Sequence, residues 1–429
     1  MSVLQTHARD RSCRGIPLVV QSHLRWDFVW QRPQQLLTRF ATYAPVFFLE
    51  EPIFLDDMIG EGRLDVTVPA PNVYRAVPLL PSRLRGDYDV AIAHVRSLAL
   101  AELRRADGIG ARFIHPAQWF YTPMPAPAML GAFDEVAVIY DCMDELSQFR
   151  FAHPDLVRRE RLLMDNADVV FTGGRKLCES KSRFHSNVHF FGCGVDEKHF
   201  AKARDPRTPL PADIASLRRA GVRVAGYYGV IDERLDYDLI ARLARADPTL
   251  EVVMVGPTAK VDPATLPQRP NLHWLGARSY DALPSYVRGF DVCLMPFALN
   301  EATEYINPTK TLEYMACGRP IVSTAVADVV LNFAPVVRIA RDPVDFIRGV
   351  LLDSRDADSA RIADGIRVAQ GSSWDAVVGA MNELMLRAVE AGRTMVARAT
   401  QGEETAAQVP DETAGWTTHA AVDAARATA

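Results

Sequence analysis

Lys310 and Glu313 are the pair whose types and spacing most directly suggest chemistry. Three residues apart on a helix they share one face, so an ammonium and a carboxylate stand side by side. One suits a phosphate and the other accepts from hydroxyls. The residues before them, Asn307-Pro308-Thr309, read as a helix start. Asn307 is a good N-cap, Pro308 suits the first helical position, and Gly318 ends the helix after Cys317. A helix start presents free N–H groups and the positive end of the dipole, where an acid would be the favoured neighbour; a lysine there makes sense when an anion fills the space. The plain alternative is an amphipathic helix with an i,i+3 ion pair. The cap, the proline and the apolar strand Ile321-Val322-Ser323 that follows weigh against it.

Two more groups sit where strands give out. Tyr227-Tyr228-Gly229 ends a β-branched and aromatic run and leads into Asp232-Glu233-Arg234. Gly229 removes a side chain where backbone must approach something closely, and Arg234 is the local cation. In the first half, Asp141, Asp144 and Glu145 follow the apolar run Ala137–Tyr140, the place for an acid or base over a cleft. Helix capping is the other use for either aspartate. His94 is expected to end a strand over Val90–His94 and face the same cleft, as a candidate behind the aspartates. Trp26, Phe28 and Trp30 alternate with other residues before a helix, which suits either a ligand-lining loop or an aromatic wedge packing that helix.

Elements able to position these groups follow from periodicity. Short β-branched runs alternate with helical patterns, a βαβ signature for parallel sheets covered on both faces, so the fold class is α/β. Expected strands of the first half are Ile16–Gln21, Val46–Leu49, Val73–Val77, Val90–His94, Arg112–His115, Val136–Tyr140, Val169–Thr172 and Val188–Phe191. Those of the second are Arg223–Tyr228, Glu251–Val255, Leu272–Leu275, Val292–Met295, Ile321–Ser323 and Val336–Ile339. Three prolines among Arg204–Pro211 mark the linker. The expected division is a flexible N-terminus (1–14), a Rossmann-like domain (15–205), a second Rossmann-like domain (206–372), a bracing helix (373–392) and a disordered tail (393–429).

The 429 residues, 48% hydrophobic and 24% charged, suffice for two such domains. A net charge of −5 argues against general nucleic-acid binding. Six cysteines without C-x-x-C spacing suit a reducing compartment. No apolar run is long enough to span a membrane, and residues 1–14 lack a signal-peptide core. The expected location is the cytoplasm, with a membrane surface as a further contact through arginine clusters such as Arg158/Arg159/Arg161. No G-x-G-x-x-G follows a strand into a helix, which disfavours an NAD site.

The segment Asn307–Thr324 resembles the donor-binding segment of GT-B glycosyltransferases, the group 1 or bacterial polysaccharide kind, in its N-P-x-K-x-x-E-Y-x-A-x-G-x-P-x-V pattern. The resemblance extends over roughly Pro17 to Ala391 and implies two Rossmann-like domains facing a cleft. It implies a nucleotide-sugar donor, UDP- or GDP-linked, with Glu313 on the ribose and with Lys310, Asn307, Thr309, Gly229 and Arg234 around the diphosphate. Asn300 and Glu301 are placed near the donor sugar. A Tyr-x-x-x-Asp segment like Tyr140–Asp144 holds the base in related enzymes, which puts Asp144 ahead of Asp141. Many retaining members carry a second Glu where this chain has Tyr305. The implied reaction is metal-independent transfer of a sugar to a hydroxyl acceptor, in bacterial surface polysaccharide or glycolipid synthesis and without a resident cofactor. Two other readings share the architecture: a hydrolysing nucleotide-sugar epimerase, and a non-catalytic nucleotide- or partner-binding protein.

Overall fold

The structure, a computed structural model, describes residues 15–407 except 106, 150, 151 and 220. The expected flexible N-terminus (1–14) and residues 408–429 of the expected tail lie outside the described residues.

Nine strands among the described residues make the first sheet. Its order is Ile53–Leu55, Val73–Pro81, Val46–Glu50, Leu18–Ser22, Ala117–Phe120, Ala137–Cys142, Val169–Thr172, Val188–Phe190. These pair in parallel, and Arg63–Ala70 runs antiparallel along Val73–Pro81. The second sheet has six parallel strands in the order Leu272–Gly276, Leu250–Val255, Arg223–Tyr228, Val292–Met295, Ile321–Thr324, Arg338–Ala340. Central strands such as Val169–Thr172 and Val292–Met295 are buried along their whole length, as strands covered by helices on both faces must be.

Two expected strands are absent. Val90–His94 belongs to the helix Tyr88–Arg104, started by Asp87, whose side chain accepts from Val90 N at 3.1 Å. Its buried residues, Ala91, Ile92, Val95 and Ala99, recur at helical spacing; Val90 and Ile92, two apart, imitate a strand. Arg112–His115 holds only a short 3₁₀ turn, Gly110–Arg112, and His115 has φ of 49°. The strand lies just beyond it, at Ala117–Phe120, beside Leu18–Ser22 in mid-sheet.

The last helix, Trp374–Ala407, continues through residues expected as tail. Trp374, Val378, Met381, Met385 and Val389 lie at steps of three and four and are all buried. This stripe belongs to the core of the first domain, with Phe40, Trp119 and Phe171. The chain therefore returns to its starting domain after completing the second.

A shared helix cap also joins the domains. Asp328, on the helix Ala327–Phe333, is fully buried, and its carboxylate accepts from Arg175 N at 2.7 Å and Lys176 N at 3.4 Å. These are first-turn amides of Arg175–Lys181, in the other domain. A Cβ at Gly174 would stand 2.7 Å from that carboxylate, so the glycine makes room for it. Asp328→Ala is expected to cost about 1–2 kcal/mol in urea unfolding, the usual worth of a cap, with Asp328→Asn recovering part of it.

Candidate active site

Between the domains lies a cavity of about 580 Å³. Both sheets turn the carboxyl ends of their strands toward it: Asp144 comes just after Ala137–Cys142, and Gly229 and Arg234 after Arg223–Tyr228. Gly229, Arg234, Asn307, Thr309, Lys310, Glu313 and Asp144 all line it. Residues far apart in sequence are brought together, from both domains.

Backbone packing explains the glycine. Gly229 has φ of 143°, and a Cβ on it would lie 2.7 Å from Tyr227 Oη and 2.9 Å from Lys310 Cε. Gly256, with φ of 149°, ends the neighbouring strand, and its missing Cβ would fall 1.8 Å from Gly229 O. The two turns thus meet backbone to backbone under the cavity.

The helix start differs from expectation. The helix is Lys310–Ala316, preceded by Thr309, which makes no side-chain cap. Asn307 is not the cap: its Nδ2 donates to Gly173 O of the first domain at 2.9 Å. Thr309 Oγ1 lies 3.3 Å from Cys193 Sγ, and Cys193 Sγ is 3.5 Å from Asn307 O. A contact between domains has taken the side chain that local chemistry assigned to the helix.

The Lys310 ammonium is held over two rings, 5.4 Å from Tyr227 and 5.2 Å from Phe297. Among the described residues no hydrogen bond or ion pair reaches it. Removal from bulk water, then the nearby Arg234, bring its pKa down to about 8, while Glu313 pulls the other way. Glu313 is 7% exposed and accepts a hydrogen bond from Tyr228 Oη. Burial raises its pKa to about 7 against the effects of Tyr228 and Lys310. Arg234 is held flat by Asp232, with Nε at 3.0 Å from both carboxylate oxygens and Nη2 at 2.6 Å from one. Tyr228 escaped the sequence reading, although its place beside Gly229 at the strand end was the available signal.

Of Asp144, Asp141 and His94, Asp144 alone lines the cavity. Burial raises its pKa, with Arg234 of the facing domain acting against the rise. The turn that carries it is anchored below: Lys181 Nζ donates to Glu145 at 2.7 Å and Glu160 at 2.8 Å, and Tyr140 Oη donates to Glu160 at 2.7 Å. Asp141 lies inside the strand, fully buried, and takes a two-pronged bond from Arg32 at 3.2 and 2.9 Å. With its oxygens occupied and no exposure, it is a structural partner of Arg32 rather than a base over the cleft. His94 is likewise displaced. It sits mid-helix, bonded to Val90 O at 2.9 Å and Glu61 at 3.2 Å, and does not line the cavity. Asn300 and Glu301 are exposed and also outside the wall.

Residues 234–361 match the family "Glycosyl transferases group 1". This match, together with the relatives below, supports a glycosyltransferase of the group 1 kind. The matched span holds Arg234, Lys310 and Glu313 and leaves out the domain that carries Asp144. The transferase is 27% identical over 282 residues to the putative teichuronic acid biosynthesis glycosyltransferase TuaH of Bacillus subtilis (strain 168), covering 60% of this chain and 68% of that one. Its fold is GT-B, as in solved structures of low identity. An E. coli trehalose-6-phosphate structure bound with UDP-2-fluoro glucose aligns with TM-score 0.61 at 14% identity over 86% of this chain and 98% of that one. Anabaena HepE, in complex with UDP and glucose, aligns with TM-score 0.62 at 14% identity over 87% and 99%. No helix among the described residues of the transferase is long and apolar enough to cross a membrane.

Proposed function

We propose that this glycosyltransferase moves a sugar from a UDP-linked donor to a hydroxyl of a bacterial surface polysaccharide or glycolipid, without a metal. The observation that carries the reading is Lys310: a cation in the cavity floor with only aromatic faces and neighbouring charges around it, beside Glu313 on the same helix. A diphosphate would supply its counter-ion, and Arg234 would share the load. As the glycosidic bond breaks, charge accumulates on the leaving diphosphate, and fixed cations stabilise it most where water is excluded. Glu313, fixed by Tyr228, would accept from the ribose hydroxyls. Asp144 would take the proton of the attacking hydroxyl. UDP is preferred to GDP because the E. coli and Anabaena structures hold UDP or a UDP-sugar. The polysaccharide class follows the name of the Bacillus relative.

The division into domains at about 205/206, with the linker at 204–211, belongs to the same proposal. The test is thermal unfolding with UDP, GDP, ADP and NAD, each with and without EDTA. Ligand at 100 times its dissociation constant adds about 2.7 kcal/mol. The expected result is EDTA-insensitive stabilisation by UDP. Stabilisation that EDTA removes would overturn the metal-free part, and no stabilisation by any nucleotide would overturn the donor site.

A further inference from the structure

The first-domain end of the cavity is lined by a loop whose aromatic residues divide into two kinds. Trp26 is 4% exposed and packs edge-on against Phe48, with centroids 5.1 Å apart. Phe28 and Trp30 are 49% and 41% exposed, yet both line the cavity. Two large rings turned toward water inside a concave site call for an occupant.

The loop is firmly held. Buried Glu50 accepts from Trp26 N at 2.9 Å, from Arg25 at 3.1 Å and from Arg75 at 2.6 Å. Arg25 also donates to Glu51 O at 2.6 Å, and Gln34 Nε2 to Trp26 O at 2.8 Å. Trp30 leans on Trp26, with centroids 6.3 Å apart, and on Tyr280 across the cleft at 6.0 Å. The outward rings are therefore presented by a fixed backbone, which lowers the ordering cost of a ligand that stacks on them.

We infer that Phe28 and Trp30 form a platform for a sugar ring of the acceptor, on the same domain as Asp144. Three features favour a sugar over an acyl chain. The rings are rimmed by polar groups, with Asp27, paired to Arg75, just before them in sequence and Gln31 and Arg32 just after. The platform is continuous with the cavity that holds Lys310 and Glu313. An aromatic face set beside hydrogen-bonding groups matches a pyranose, whose C–H face and hydroxyl edge differ in polarity. The acceptor would then be a glycan or a glycosylated lipid recognised through its sugar. This inference rests on the transferase reading above.

Protein saturated with UDP would be titrated with methyl and octyl glycosides of glucose, galactose, N-acetylglucosamine and glucuronic acid, with octanol as the sugar-free control. At least one methyl glycoside is expected to bind. Phe28→Ala and Trp30→Ala should each weaken it 10-fold or more while the dissociation constant of UDP stays within 2-fold. Thermal unfolding of each variant checks that it folds, and Trp30→Phe should retain most of the affinity. The platform is overturned if no methyl glycoside binds, if the variants bind as the wild type does, if octanol binds as well as the octyl glycosides, or if UDP affinity falls by the same factor as the glycoside. Failure of UDP to bind the wild type would instead remove the donor reading, and this inference with it.

Discussion

Lys310→Met is expected to make the free protein more stable and to abolish its stabilisation by UDP. The two effects share a cause. Burial in the cavity floor and the neighbouring Arg234 hold the Lys310 pKa at about 8, below the ordinary 10.5. A lysine with a lowered folded-state pKa binds fewer protons folded than unfolded between those values, so stability rises with pH from about 8 to 10.5. Below pH 8 the full cost of the buried charge is present. Lys310 is only half-buried, so solvent screening reduces that cost to about 1–2 kcal/mol rather than the whole shift. Methionine keeps the length and removes the charge, and Tm at pH 7 should rise by about 1–2 °C. The same variant loses the counter-ion for a diphosphate, and UDP should no longer shift Tm. In the wild type UDP should bind most tightly below pH 8 and progressively less above it, with proton uptake near pH 8 measurable by calorimetry in two buffers. Wild-type UDP affinity independent of pH between 7 and 9.5 would show that the ammonium does not meet the phosphates.

Asp144→Asn is expected to lower transfer about 10³-fold while leaving UDP affinity within 2-fold. General-base catalysis contributes about 10²–10⁴, and asparagine keeps the size of the side chain without its basicity. Because burial raises the Asp144 pKa, transfer in the wild type should fall as pH drops through a value above the ordinary carboxylate range. That acidic limb should vanish in Asp144→Asn. Asp141→Asn is the control. It breaks the buried pair with Arg32, so its damage should appear as lost stability with the acidic limb intact. A large loss of UDP binding in Asp144→Asn would assign the residue to the donor instead.

Most strands of the second domain are legible in the sequence because they are short apolar runs, several of them ended by glycine or proline, and those signals are local. Arg223–Tyr228 and Val292–Met295 agree with the structure at both ends. Departures occur where a distant partner decides. Asp141 looked free because its partner, Arg32, is 109 residues away. Asn307 looked like a cap because nothing local discloses Gly173, 134 residues earlier. His94 failed for another reason: valine and isoleucine two apart satisfy a strand pattern, and only the stripe Ala91, Ile92, Val95, Ala99 shows a helix. In Trp26-Asp27-Phe28-Val29-Trp30 both readings offered by the sequence hold: Trp26, though at the cavity wall, is buried as a wedge against Phe48, while Phe28 and Trp30 stand exposed in the cavity.

The returning helix has a consequence for synthesis. A chain emerging from the ribosome makes residues 15–205 first, and at that moment the surface around Phe40, Trp119 and Phe171 has no cover. Trp374, Val378, Met381 and Met385 arrive only after the second domain has been made. The first domain therefore completes its core only after the second has been made, and every chain stopped short of Trp374 exposes apolar surface of the kind that chaperones and proteases recognise. Completion of the amino-terminal half thus reports that the carboxyl-terminal half has been synthesised.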